Sequence, residues 1–192
     1  MRTPEDIAAA NAVVAHHSQL AADLHALVQQ TVAASGDAGA NGEAGRRRDA
    51  LVEFLARELV PHALAEETTM YAAAADQPAL ETLVTAMKRE HVAIIAGIDA
   101  LRDATGAGGI AAAAGGVEAL FDVHLEKENE LILPALLDAP AASLAQLLRG
   151  MHALLGAETD PNRDPDKDAE QDAQSGGCGC GGCGCGGGSQ QR

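Results

Sequence analysis

The chain has 192 residues, long enough for one domain of ordinary size with an appendage, and a formal net charge of −15 at pH 7. That charge argues against nucleic acid and anionic membranes as partners, and no apolar run approaches the ~18 residues of a membrane-spanning helix. With no Trp, one Tyr and two Phe, the apolar content is carried by Ala, Leu and Val, which favours packed helices over a β-sandwich.

Thr3-Pro4-Glu5-Asp6 reads as a helix start, with Thr3 as cap, Pro4 in the first turn and two acids at the positive end of the dipole. The stripe that follows, Val13, His17, Leu20, Leu24 and Leu27, has amphipathic helical spacing and includes a histidine. Ser35 to Gly45, rich in Gly, Ala, Asn and Asp, reads as a loop. A second helix is expected from about Arg46 to Ala74, with Leu51, Leu55, Leu59, His62, Glu66 and Met70 on one side. Pro61 predicts a kink in it just before His62. After Asp76-Gln77-Pro78, a third stripe runs Leu80, Val84, Met87, His91, Ile94, Ile98, Leu101. Gly106 to Gly109 breaks that helix, and a fourth is expected from near Ile110. Its inward positions are Val117, Leu120 or Phe121, His124, Glu128, Leu131 and Ala135, with Pro134 kinking or ending it. Ala142 to Leu155 predicts a shorter fifth helix. Beyond Gly156 the chain has no Leu, Ile, Val or aromatic residue and cannot bury enough surface to fold alone. The expected organisation is a helical domain over 1–156 and a disordered acidic, Gly- and Cys-rich tail over 157–192.

Each of the four helices therefore carries one histidine in its buried stripe. A polar group in a helical seam is costly unless compensated, so four such helices converging suggest a shared ligand. Residues i and i+4 share a helix face, so His62 with Glu66, and His124 with Glu128, each present an imidazole beside a carboxylate. Such a pair serves two adjacent metals, the imidazole terminal on one ion and the carboxylate bridging to its neighbour. With His17 and His91 the set has nitrogen and carboxylate donors only, which suits iron or manganese better than a closed thiolate zinc site. A lone histidine on an apolar face is more often a hydrogen-bonded core residue, but four in register make coincidence a poor account. His16, one step round the helix, is the alternative to His17. His25 and His152 are expected to be partly exposed, and Asp99 and Arg102 to be ordinary surface charges. Glu67 and Glu90 adjoin the candidates; solvation is the commoner outcome for such residues, orientation of an imidazole the alternative. Tyr71 either lines the pocket or packs between helices.

These residues resemble the hemerythrin-like (HHE cation-binding) family. The resemblance is carried by His17-Ser-Gln-Leu20, by Pro61-His62-Ala-Leu-Ala-Glu66-Glu67 with Met70-Tyr71, by Glu90-His91, and by His124-Leu-Glu-Lys-Glu128 with Leu133-Pro134. It covers about residues 5 to 137 and implies an all-α, antiparallel up-down four-helix bundle around a non-heme di-iron centre. Carried over by position, His17, His62, His91 and His124 would be imidazole ligands of two iron ions, and Glu66 and Glu128 the bridging carboxylates. Ferritin-like di-iron proteins instead use Glu-x-x-His pairs, which this chain lacks. Oxygen-carrying hemerythrins have a second histidine one turn after the third-helix ligand; here that place is Ile95, which implies a set one imidazole short and an open position.

The function implied is binding of a small ligand, O2, NO or peroxide, in sensing or response to oxygen, nitric oxide or oxidative stress. A di-iron enzyme that detoxifies peroxide or nitric oxide, an iron storage or delivery protein, and a bundle that binds no metal are the alternatives. All four cysteines, Cys178, Cys180, Cys183 and Cys185, lie in the tail. Their spacing would let them wrap one soft ion such as Zn(II) or Cu(I), or they remain reduced thiols on an unstructured arm. The folded part has no disulfide framework, and a cytoplasmic location is expected.

Overall fold

The computed structural model describes residues 2–36, 41–139 and 143–158, and among them every regular element is a helix. In chain order these are α1 (Pro4–Gly36), α2 (Asn41–Phe54), α3 (Val60–Thr68), α4 (Met70–Ala75), α5 (Glu81–Asp103), α6 (Ala107–Lys127), α7 (Leu133–Asp138) and α8 (Leu144–Glu158). A π-helical turn, Leu55–Leu59, joins α2 to α3, and another, Glu128–Ile132, joins α6 to α7. None of these helices is long and apolar enough to cross a membrane.

Thr3 caps α1 as its sequence suggests: its hydroxyl accepts the N–H of Asp6 at 3.1 Å and donates to the Asp6 carboxylate at 2.7 Å. Both π turns have their cause in a proline. Inside a regular helix the ring of Pro61 would collide with the carbonyl of Arg57, and that of Pro134 with the carbonyl of Glu130. Each turn just before the proline widens instead, so that Val60 N–H bonds to Leu55 O and Leu133 N–H to Glu128 O. The breaks expected at Pro61 and Pro134 are thus single wide turns, and the helix resumes beyond each.

A wide turn adds one residue to the register. This corrects the expected stripe of the fourth helix, because Leu131 is 48% exposed while Ile132, Leu133 and Leu136 are buried. At the earlier ambiguous position, Phe121 is buried and Leu120 is not. Two boundaries also differ from expectation. Helix α2 already starts at Asn41, inside the expected loop, where Glu43 pairs with both Arg46 and Arg47 and Ala44 is buried. Helix α6 starts at Ala107, so that Gly108 and Gly109 lie within it. The break falls on Ala104 to Gly106, where Gly106 takes φ 72, a left-handed conformation open to glycine.

The core forms two apolar clusters. One gathers Leu20, Leu24, Leu51, Leu55, Leu59, Ile94, Ile98, Val117 and Phe121. The other gathers Ala10, Val13, Met70, Tyr71, Val84, Met87, Ile132 and Leu136. Helices α1 and α5 run from the second cluster into the first, whereas α2–α4 and α6–α7 run from the first into the second. That order defines an antiparallel up-down four-helix bundle. Helix α8 packs on α1 and α3. It is held by Asp6, whose carboxylate accepts Ser143 Oγ at 2.9 Å and the backbone N–H of Ala145 at 3.1 Å.

Candidate metal centre

Between the two apolar clusters every one of the four bundle strands is polar. His17 follows Val13 and precedes Leu20; His62 and Glu66 lie between Leu59 and Met70; His91 separates Met87 from Ile94; His124 and Glu128 lie between Phe121 and Ile132. All six are buried, each no more than 4% exposed. The i, i+4 pairs arrive from opposite strands of the bundle, so the two carboxylates face each other across the axis with the imidazoles around them.

The donor atoms divide into two groups that share the Glu66 carboxylate. His17, His62 and Glu66 form one, and Glu66, His91, His124 and Glu128 the other, each with potential donor atoms within 4.8 Å of one another. Glu66 Oε1 lies 3.2 Å from His17 Nε2 and 2.9 Å from His62 Nε2, while its Oε2 lies 3.8 Å from His91 Nε2. Glu128 divides the same way, with Oε2 at 3.8 Å from His17 Nε2 and Oε1 at 3.3 Å from His124 Nε2. All four imidazoles thus turn Nε2 inward, and each carboxylate offers one oxygen to each side.

Outward, three imidazoles are held from a neighbouring strand. His17 Nδ1 meets Asn129 Oδ1 at 2.8 Å, His91 Nδ1 meets Glu67 Oε1 at 2.8 Å, and His124 Nδ1 meets Glu90 Oε2 at 3.1 Å. Acceptors there place the proton on Nδ1 and leave the Nε2 lone pair facing the centre. Lys127 holds Glu90 in turn. Glu67 and Glu90 therefore do orient imidazoles rather than only meeting solvent. Asn129 escaped the sequence reading because its position depends on the π turn in which it lies.

Tyr71 also belongs here. Its ring stacks on His91 with centroids 5.3 Å apart and planes at 9°, its hydroxyl donates to Glu128 Oε1, and that hydroxyl oxygen is 3.2 Å from His124 Nε2. Thr69, at φ −116 and ψ −81, interrupts the helix just before it, and Met70 and Tyr71 both turn inward. Ile95, by contrast, is 39% exposed, and its neighbour Ile94 takes the core position. The buried group beside His91 and His124 is a phenol.

The electrostatics follow from the crowding. Burial raises the Glu66 carboxyl, but His62 and His17 outweigh it and hold the group well below the usual carboxylate range. Burial works against the charged form of His17, yet Glu66 prevails and its pKa lies above the ordinary value; His124 is raised in the same way by Glu128. Burial and the Glu128 charge both push the Tyr71 phenol far up, which keeps it protonated.

A bound cation fits this donor set. Buried acceptors normally find partners, yet Glu128 Oε2 and His62 Nε2 have no hydrogen-bond partner, although His62 Nε2 lies within 3 Å of a carboxylate. Buried lone pairs turned inward without a donor to meet them are what bound cations satisfy.

The remaining sequence candidates lie elsewhere. His16 is on the outer side of α1, with its ring centroid 4.9 Å from that of His62. It is absent from both donor groups. His25 pairs with Glu118 at the surface, and Asp99 with Arg102. Of the stripe residues next to the candidate ligands, Leu20, Leu59 and Ile94 are buried in the adjoining cluster, and Leu131 is not. Cys178, Cys180, Cys183 and Cys185 lie outside the described residues.

A four-helix bundle with a buried layer of imidazoles and shared carboxylates defines a class of helical metal-binding proteins. Residues 8–136 match the Hemerythrin HHE cation binding domain, and the chain belongs to that family. No curated protein and no solved structure matches the chain.

Proposed function

We propose that the protein is a non-heme di-iron protein that binds a small ligand, O2, NO or peroxide, in sensing or response to oxygen, nitric oxide or oxidative stress. The observation that carries this reading is the division of Glu66 and Glu128, each with one oxygen toward the His17 side and the other toward His91 or His124. In this reading His17 and His62 would hold one iron and His91 and His124 the other, with the Glu66 and Glu128 carboxylates available to both. Bound there, iron supplies a Lewis-acidic, redox-active centre for a diatomic ligand or peroxide. Asn129, Glu67 and Glu90 keep the imidazoles aimed inward, and Leu20, Leu59 and Ile94 exclude bulk water from one side.

Tyr71 favours a second reading, peroxide or nitric oxide detoxification at the same centre. Its buried hydroxyl, set beside Glu128 and His124, supplies a hydrogen-bond donor that would polarise an oxygen of peroxide or nitric oxide held there.

Iron per chain after anaerobic ferrous reconstitution, with the visible spectrum, tests the proposal. His62→Ala and Glu66→Ala are expected to lose most of the iron, and His25→Ala to keep it; equal loading in all three would refute the assignment. A spectrum that reverts on removing O2 marks a binder, and sustained peroxide loss with turnover marks an enzyme.

A further inference from the structure

Where α8 packs on α1 and α3, a cavity of ≈ 80 Å³ is lined by Ala12, Val13 and His16 of α1 and by Leu148, Met151 and His152 of α8, and His62 forms part of its wall. At about 30 Å³ per water, it has room for at least two water-sized molecules. His62 differs from its three counterparts at its second ring nitrogen. His17, His91 and His124 each bind a protein acceptor through Nδ1, whereas His62 Nδ1 is buried and has none. The ring of His16 approaches at 56° to that of His62 without hydrogen-bonding to it. If Nε2 faces the metal centre, Nδ1 carries the proton, and a buried N–H without an acceptor is costly.

We propose that this cavity is a holding site for a small hydrogen-bond-accepting molecule, hydrogen peroxide or water, seated on the Nδ1–H of His62 on its way to the metal centre. The walls supply no carboxylate, and their apolar members, Val13, Leu148 and Met151, admit only something small. The occupant takes the place that Asn129, Glu67 and Glu90 fill for the other imidazoles, so it also fixes the orientation of His62. This rests on the di-iron reading for the direction of the Nδ1 proton and for the destination of the ligand.

Two measurements on the full-length, iron-loaded protein test it. A high-resolution crystal structure is expected to show density within hydrogen-bond distance of His62 Nδ1 inside the cavity, and a cavity without density overturns the proposal. In stopped-flow mixing with hydrogen peroxide, Ala12→Leu and Leu148→Phe, which fill the cavity from opposite walls, are expected to retain iron and slow the spectral change about tenfold or more, ~1.4 kcal/mol in barrier. His25→Ala should react at the wild-type rate. Density at Nδ1 with unchanged rates in both filled variants identifies a structural water and overturns the holding role. Failure of the wild type to take up iron defeats the di-iron reading instead, and the density at Nδ1 then decides whether the cavity holds a ligand.

Discussion

His17 and Asn129 show how much of the centre is decided by single contacts. The imidazole needs its Nε2 lone pair inward, and the 2.8 Å contact from Nδ1 to Asn129 Oδ1 selects that tautomer. Asn129→Leu is expected to lower metal affinity about 10- to 100-fold with helix content unchanged. Competitive titration against a chelator, with circular dichroism alongside, measures both; an unaltered affinity would show that the contact is incidental. Tyr71 makes the converse case. Tyr71→Phe removes the donor on Glu128 and should change the visible spectrum of the iron-loaded protein at constant iron content; an identical spectrum would place the phenol outside the chemistry. The six central residues were legible because helical periodicity fixes which side chains share a face. Asn129 was not, and for Tyr71 the sequence left pocket lining and packing between helices equally open, since the two depend on a widened turn and on a break at Thr69, neither of which a regular period encodes.

At the scale of the element, the prolines do more than end helices. Pro61 and Pro134 each follow a wide turn, and that turn moves the inward position from Leu131 to Ile132. The sequence marks such a break through its proline, but counting by threes and fours cannot say whether the helix kinks, stops or gains a residue. The docking of α8 depends on Asp6, which joins the first turn of α1 to Ser143 and Ala145. Thr3 first, then Ala145 and Ser143, hold the Asp6 carboxyl below its ordinary value of 3.8. A depressed carboxyl contributes stability above the ordinary carboxylate range and loses it as pH falls through the folded pKa. Asp6→Asn is therefore expected to melt a few degrees below wild type at pH 7, with the gap closing below about pH 4. A gap that persists at acid pH would assign the effect to packing rather than charge.

Across the whole molecule, the bundle places its most polar layer between two apolar clusters, out of reach of bulk water. Burying carboxylates and imidazoles together is costly unless they are paired or coordinate a cation, so metal binding and folding should be coupled. With free metal at about 100 times Kd, binding adds ~2.7 kcal/mol, and removing iron with a chelator should lower the melting temperature accordingly. A melting temperature indifferent to the chelator would mean that the layer is satisfied by its own protons. The antiparallel order of the bundle shows in the two core clusters; in the sequence it was carried by the family resemblance, because a helical period tells which face is buried and not which way its neighbour runs.

The claim that each carboxylate serves two ions is tested most directly by anomalous scattering at the iron edge from crystals of the reconstituted full-length protein. Two peaks are expected, one among His17, His62 and Glu66 and the other among Glu66, His91, His124 and Glu128. A single peak, or iron located away from Glu66 and Glu128, would contradict it.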